Sequence, residues 1–317
     1  MIAIGFLAMC LIFGTTFLAI RVGIDAGALP FLSAGIRFVA AGGILLAVMI
    51  VRKQATWSLL GRKEMLITGA GLTFGTFSTL YWAEQHISSG LAAVLSATGP
   101  IMILLLQAFA LRQRTSPKAV AGCIVGFAGV LLIMLPGMAI DISLLWLAGC
   151  ALVIVGEFCY SSGALYSKHV MKRFSNVSPI AMNAAQMLYG GGLLMVLSLL
   201  VERPGRGDLM ALTSRGATGS LLYLIIAGSM LGHSLFYWLV SRTNPVFPST
   251  WLYISPLIAL VLGIVVYDEP FSWLTFAGAA VILTGIILVN ADSLRQMING
   301  RLRPRRQQQP SPAGKSA

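Results

Sequence analysis

The feature that most constrains this chain is a series of ten continuous apolar stretches. Each is close to the roughly 20 residues that a helix needs to cross the hydrocarbon core of a bilayer. They lie near Ile2–Ile20, Phe31–Val51, Met65–Gln85, Leu91–Leu111, Ala119–Leu135, Leu144–Tyr166, Pro179–Val201, Ala217–Val240, Phe247–Tyr267 and Trp273–Val289. Of the 317 residues, 57% are hydrophobic and only 10% charged, and the mean hydropathy is +0.86. A soluble domain carries roughly a quarter charged residues, so this chain could not keep its surface in water. In lipid the backbone must satisfy its own hydrogen bonds, which leaves helices or closed barrels. Barrel strands would be shorter and would alternate apolar with polar, whereas these runs are continuous. The expected fold class is therefore an all-α integral membrane protein with ten transmembrane helices and little chain left for a soluble domain. The first stretch reads as a retained helix and not as a signal peptide, because no Lys or Arg precedes it and its apolar run is long.

Charge gives an orientation. The net charge is +12, and 17 of the 22 Lys and Arg residues fall after the second, fourth, sixth and eighth stretches or in the tail. Arg52, Lys53, Arg62 and Lys63 are the first such group, and Arg295 to Lys315 the last. Four more lie in the other loops, and Arg37 is inside the second stretch. Basic loops stay cytoplasmic, so both termini are expected inside an inner, or plasma, membrane. The pattern reads as a topology signal, with the lipid bilayer as partner and no nucleic acid. The segment 291–317, rich in Arg, Gln and Pro, reads as a disordered basic tail that can touch anionic lipid.

The sequence also contains itself twice. A shift of 156 residues carries Tyr81-Trp82 onto Tyr237-Trp238, Pro100 onto Pro256, Gly122 onto Gly278 and Gly129 onto Gly285. Nearer the start the shift shortens. Pro30 meets Pro179 and Arg37 meets Gln186 at 149, and Gly14–Arg21 meets Ser161–Lys168 at 147. We read two five-helix repeats, 1–135 and 144–290. Because five is odd, the second must enter the membrane inverted, the arrangement by which many secondary transporters alternate access around a midplane site.

Several residues are loose motifs whose order and spacing are specific. They are Gly14-Thr15-Thr16-Phe17 through Arg21, Pro30 to Arg37, Leu91-Ala92-Ala93 leading to Pro100, Gly122 to Gly129, Ser255-Pro256, Asp268-Glu269, and Gly278 to Gly285. In these the chain resembles ten-helix members of the drug/metabolite transporter superfamily, of the EamA type, over nearly its whole length to about Asn290. The resemblance implies export, or less often import, of amino acids, other small metabolites or drugs. One departure is that Gln113 stands where the family usually has an acid after the fourth helix, while its counterpart Glu269 is kept.

The candidate substrate-binding or cavity residues are few. A charge at the bilayer centre costs on the order of 2.5–3.5 kcal/mol on insertion scales, so ionisable residues there face protein or a water-filled cavity. Arg37 could hold a carboxylate or contact backbone carbonyls. Glu157, the deepest acid, could bind an amine or carry a coupling proton, or it could be a neutral hydrogen-bonding group. His233 is a second candidate proton carrier, against the plainer reading of a satisfied buried histidine. Pro100 and Pro256 each lie about ten residues into a span of roughly 20, where a proline frees the carbonyl four residues back. Tyr81 and Tyr237 could face the cavity beside membrane-belt tryptophans, and Trp251 and Tyr253 could stack on a ligand.

The cysteines Cys10, Cys123, Cys150 and Cys159 show no metal-ligand spacing and read as inert, so no metal or cofactor is expected. No HExxH, nucleophile elbow, paired intramembrane acids or Walker A motif is present, which argues against an enzyme or an ATP-driven pump. The reading is a secondary transporter, not an enzyme, with a small-molecule substrate and a candidate coupling proton. An exchanger of nucleotide sugars is the alternative, though it would want more basic residues than Arg37. A non-transport membrane subunit or an embedded enzyme is the other, which the duplication disfavours.

Overall fold

The apolar stretches become helices whose ends follow from local chemistry. The computed structural model describes residues 1–110, 112, 116–139, 143–174, 176–242, 251–268, 272–289 and 291. Outside these fall several expectations from the sequence: the start of the ninth stretch (Phe247 to Thr250), Gln113, Glu269 and the tail beyond residue 291. The side chains of Tyr237 and Tyr253 also lie outside the description.

The elements are α1 (Ile2–Asp25), α2 (Pro30–Val51), a 3-10 turn (Trp57–Gly61), α3 (Lys63–Gly69), a π-helical segment (Ala70–Gly75), α4 (Thr76–Ala83), α5 (Ser89–Ser96), α6 (Gly99–Phe109) and α7 (Pro117–Ala139). There follow α8 (Leu144–Arg173), α9 (Pro179–Val201), α10 (Arg206–Ala211), α11 (Arg215–Tyr223), a second π-helical segment (Leu224–Leu231), α12 (Gly232–Arg242), α13 (Trp251–Tyr267) and α14 (Trp273–Val289). No strand occurs among the described residues. Six helical stretches there are long and apolar enough to cross a membrane, and three shorter apolar helices accompany them. Together with a belt of exposed Leu, Ile and Val, such as Leu7, Ile124, Leu199 and Val265, this makes the chain a multi-pass membrane protein.

Pro30 and Pro179 open α2 and α9 in the first turn, where a missing N–H costs nothing. The hydroxyls of Ser88, Ser143 and Ser214 cap α5, α8 and α11. Gly27, at φ +89°, supplies the left-handed turn between α1 and α2.

Two departures from the sequence reading matter. The fourth stretch is not one helix kinked at an interior proline. It breaks between Ser96 and Gly99, and Pro100 sits in the first turn of α6. Pro256, its counterpart, does lie inside a continuous helix, α13. The third stretch is likewise not regular, because its middle turn is π-helical, with the extra residue that such a bulge inserts.

Packing is closest at two antiparallel crossings, α2 with α9 and α7 with α14. Both are glycine-lined, as membrane helices that approach by van der Waals contact require. A Cβ on Gly42 would lie 2.7 Å from the Ala184 carbonyl oxygen, and one on Gly35 would lie 3.3 Å from that of Gly191. In the other pair a Cβ on Gly129 would lie 2.9 Å from the Gly278 carbonyl oxygen. Between these pairs α4 packs on α8, α1 on α11, α12 and α13, and α5 on α13. One end of α8 is tied to α3 by an ion pair of 2.7 Å between Arg173 and Glu64. The Glu202 carboxylate, just past α9, accepts the amides of Phe31 (2.7 Å) and Leu32 (2.9 Å) in the first turn of α2.

Candidate functional site

The helices that meet between the two crossings leave a cavity of about 210 Å³ at their middle. Its wall draws on both halves of the chain. From the first come Phe13, Thr16 and Phe17 on α1, Arg37 and Phe38 on α2, Thr73 in the first π segment, Phe77 on α4 and Ser96 on α5. From the second come Glu157 and Tyr160 on α8, Asn183 and Gln186 on α9, His233 and Phe236 on α12, and Trp251 and Pro256 on α13.

Arg37 is 2% exposed and held from four sides. Its Nε donates to the Ser229 hydroxyl (2.9 Å) and its Nη1 to the Tyr81 hydroxyl (3.2 Å). Its guanidinium carbon lies 4.7 Å from the Phe38 ring centre and 5.2 Å from that of Phe77. Phe38 and Phe77 themselves pack at 4.4 Å. A guanidinium between aromatic rings is stabilised by the ring quadrupoles and fixed in plane. Among the described residues no carboxylate oxygen lies within 4.0 Å of it.

Glu157 is 7% exposed and occupies the break between α5 and α6. A Cβ on Gly99 would lie 2.6 Å from its Oε2, so the glycine is the seat for the carboxyl. Ser96, in the last turn of α5, lines the cavity together with it, and Ser161, one turn further along α8, donates to the Gly99 carbonyl oxygen at 3.1 Å. The broken helix and the acid thus define one another. His233 is anchored through Nδ1 to the Ser229 carbonyl oxygen (3.0 Å), and its ring meets Phe13 edge-on at 5.6 Å. Phe13 also packs on Trp251, with centroids 4.6 Å apart.

Of the residues singled out from sequence, Arg37, Glu157, His233, Trp251 and Pro256 lie on one cavity. Tyr81 is buried behind the wall as a support for Arg37, and Pro100 adjoins the seat of Glu157 without lining the cavity. Sequence reasoning did not single out Ser96, Tyr160, Asn183 or Gln186 as wall residues. Asn183 and Gln186 carried a usable signal, since they stand three apart in an otherwise apolar helix and so share a face. Among the described residues there is no cluster of three or more metal-ligating side chains and no disulfide; the cysteines are free.

Comparison with known proteins agrees with this architecture. The EamA-like transporter family matches residues 1–135 and 147–291. The uncharacterized inner membrane transporter YedA of Escherichia coli strain K12 is 27% identical, over 89% of this chain and 88% of that protein. An uncharacterized transporter of Archaeoglobus fulgidus is 28% identical over 82% of this chain and 88% of its own. Protein PecM of Dickeya dadantii is 28% identical over 91% of this chain and 92% of its own. A solved crystal structure aligns with a TM-score of 0.62 over 93% of this chain and 98% of that one, at 18% identity, which shows the shared fold.

Proposed function

This chain belongs to the EamA-like transporter family of the drug/metabolite transporter superfamily, and on that premise we propose that it is a secondary transporter. In this reading it exports small metabolites across the inner, or plasma, membrane by alternating access of two inverted five-helix repeats, with ten spans and both termini cytoplasmic. The similarity to proteins named as inner membrane transporters supports the location, and the distribution of Lys and Arg supports the orientation.

The observation that carries the reading is an exchange of contacts between repeat-related residues. Gly42 faces Ala184 and Gly35 faces Gly191, and the 149-residue shift turns the first contact into the second. Gly122 faces Gly285 and Gly129 faces Gly278, and the 156-residue shift exchanges these in the same way. Farther apart, Ser161 meets Gly99 across α8 and α6, while Gly14 meets Ser255 across α1 and α13. Both π segments stand at corresponding places, since Ala70–Gly75 shifted by 156 falls inside Leu224–Leu231. Repeat mates that contact one another antiparallel can be related only by an axis perpendicular to the helices. In this reading the axis runs in the membrane plane, as inverted repeats require.

The cavity wall is built from mates such as Phe13 with Tyr160, Phe77 with His233, and Arg37 with Gln186. The first π segment lines it through Leu72 and Thr73 and the second reaches it through Ser229, which holds Arg37, and both provide hinge positions at which each repeat can switch. At about 210 Å³ the cavity is smaller than the roughly 300–1,000 Å³ of drug-sized pockets, which favours a small metabolite over a drug. Glu157, deep and mated to the uncharged Cys10, is the candidate carrier of a coupling proton. His233, held by a backbone carbonyl, serves as a wall residue.

The test is metabolite profiling of the medium and cytosol of cells that lack or overproduce the protein, followed by flux of each hit in proteoliposomes. A compound that leaves overproducing cells and moves in proteoliposomes is expected. Unchanged profiles together with inert proteoliposomes would remove the transport reading.

A further inference from the structure

Arg37 is more elaborately fixed than a structural contact needs. Only two of its five N–H groups are engaged among the described residues, Nε by Ser229 and one proton of Nη1 by Tyr81. The remaining protons, including both on Nη2, belong to a guanidinium that lines the cavity and has no carboxylate within 4.0 Å among the described residues. A buried cation with unsatisfied donors is costly unless an anion arrives to meet it.

The repeat supplies a control for the structural explanation. The mate of Arg37 is Gln186, which lines the same cavity from the other half, and the mate of Ser229 is Thr73. Packing at this place in the repeat is thus met by a neutral amide on α9. The charge on α2 answers a demand that only one half of the molecule has.

We infer that Arg37, clamped by Phe38, Phe77, Tyr81 and Ser229, is an anion subsite that binds one monoanionic group of the transported solute, of carboxylate type. The planar fork of an arginine suits a carboxylate, which can take two parallel N–H bonds from it. Glu157 restricts the class further. It is the one acid on the described wall, and it has no Lys or Arg nitrogen within 4.0 Å among the described residues, so no cation beside it would hold a second anionic group. The solute is therefore a monoanion or a zwitterion, with an apolar body against Phe13, Phe236 and Trp251. A dianion such as a diphosphate ester is disfavoured, as is a cation that lacks an anionic end. This inference rests on the transport reading.

The experiment is thermal unfolding of the purified full-length protein in detergent with matched probes. 3-Phenylpropionate carries the carboxylate, 3-phenylpropanamide and phenethylamine carry the same ring without it, and UDP-glucose carries a diphosphate. The carboxylate should raise the melting temperature in a saturable way, and the other three should not. Arg37→Gln should weaken the apparent affinity for 3-phenylpropionate at least tenfold, and Arg37→Lys should lose less. Should Arg37→Gln not fold, Tyr81→Phe, which removes one bond to the clamp, should weaken it severalfold. A shift by the amide or by UDP-glucose equal to that of the carboxylate, no shift by the carboxylate, or an undiminished carboxylate shift in the folded variants each overturns the subsite. The transport reading is judged separately by metabolite flux: a transported solute that is a cation without an anionic end, or a neutral sugar, leaves transport standing and removes the subsite.

Discussion

Gly122 and Gly285 face each other so closely that a Cβ added to either would lie 2.7 Å from the carbonyl oxygen of the other. Real side chains do not tolerate that distance, so the α7–α14 crossing exists only because both positions lack a Cβ. The reciprocity is also what a two-fold relation between the helices would produce.

A methyl group at this crossing should therefore cost about 1–3 kcal/mol through overpacking. Gly285→Ala should lower the unfolding temperature in detergent, and Gly122→Ala should do the same. Gly192→Ala is the comparison, because nothing lies within 4 Å of its added Cβ. Equal stability of Gly285→Ala and Gly192→Ala would show that these helices do not approach as described.

Glu202 gives a second prediction. Its carboxylate accepts the amides of Phe31 and Leu32, satisfying two of the donors that a helix N-terminus leaves bare. An anion is also favoured there by the helix dipole. Glu202→Ala should cost about 1–2 kcal/mol, in the range of a lost N-cap. Hydrogen exchange should accelerate at Phe31 and Leu32 before it does at mid-helix amides of α2. Unaltered exchange at those two amides would mean the carboxylate clamp is not formed in the membrane.

The sequence made some of this legible and hid the rest for physical reasons. Spans were readable because hydropathy is a local property, and the starts of α2 and α9 were marked by Pro30 and Pro179. Arg37 and Glu157 stood out because charge is rare at such depth. The partners of Arg37 did not, since Ser229 is 192 residues away and Tyr81 is 44. The role of Pro100 was also hidden. A proline can sit inside a helix or in its first turn, and what decides here is Gly99 packing under Glu157, a contact from another helix. The π segments were invisible because an extra residue in a helix changes no composition.

Orientation is the third prediction. Single cysteines placed in 53–61 should be unreactive to a membrane-impermeant maleimide in intact cells and reactive after permeabilisation. Cysteines placed in 204–214 should react in intact cells. The reverse pattern would put all 17 charges of the basic loops and tail on the outside, against the charge bias that sets topology. The inverted-repeat reading would survive such a reversal, but the assignment of inner and outer ends would not.

The last prediction concerns proton coupling by Glu157. An acid at this depth needs a partner or a function, and the described seat of its carboxyl, over Gly99, is neutral. Glu157→Gln retains the shape and the ability to accept a hydrogen bond, and it removes the exchangeable proton. If Glu157 carries the coupled proton, the variant should fold, bind its solute and exchange labelled for unlabelled solute across a proteoliposome membrane. Its uphill transport under an imposed pH gradient should nevertheless fall to the passive rate, a loss of at least tenfold. Exchange is the informative control, because it needs the halves to rock with solute aboard but no net proton movement. Glu157→Ala adds a further comparison. It vacates the seat over Gly99, so it should impair exchange as well, separating the shape of the group from its titration. Undiminished pH-driven uptake by a folded Glu157→Gln protein would take Glu157 out of the coupling step and leave it as the plug of the α5–α6 break.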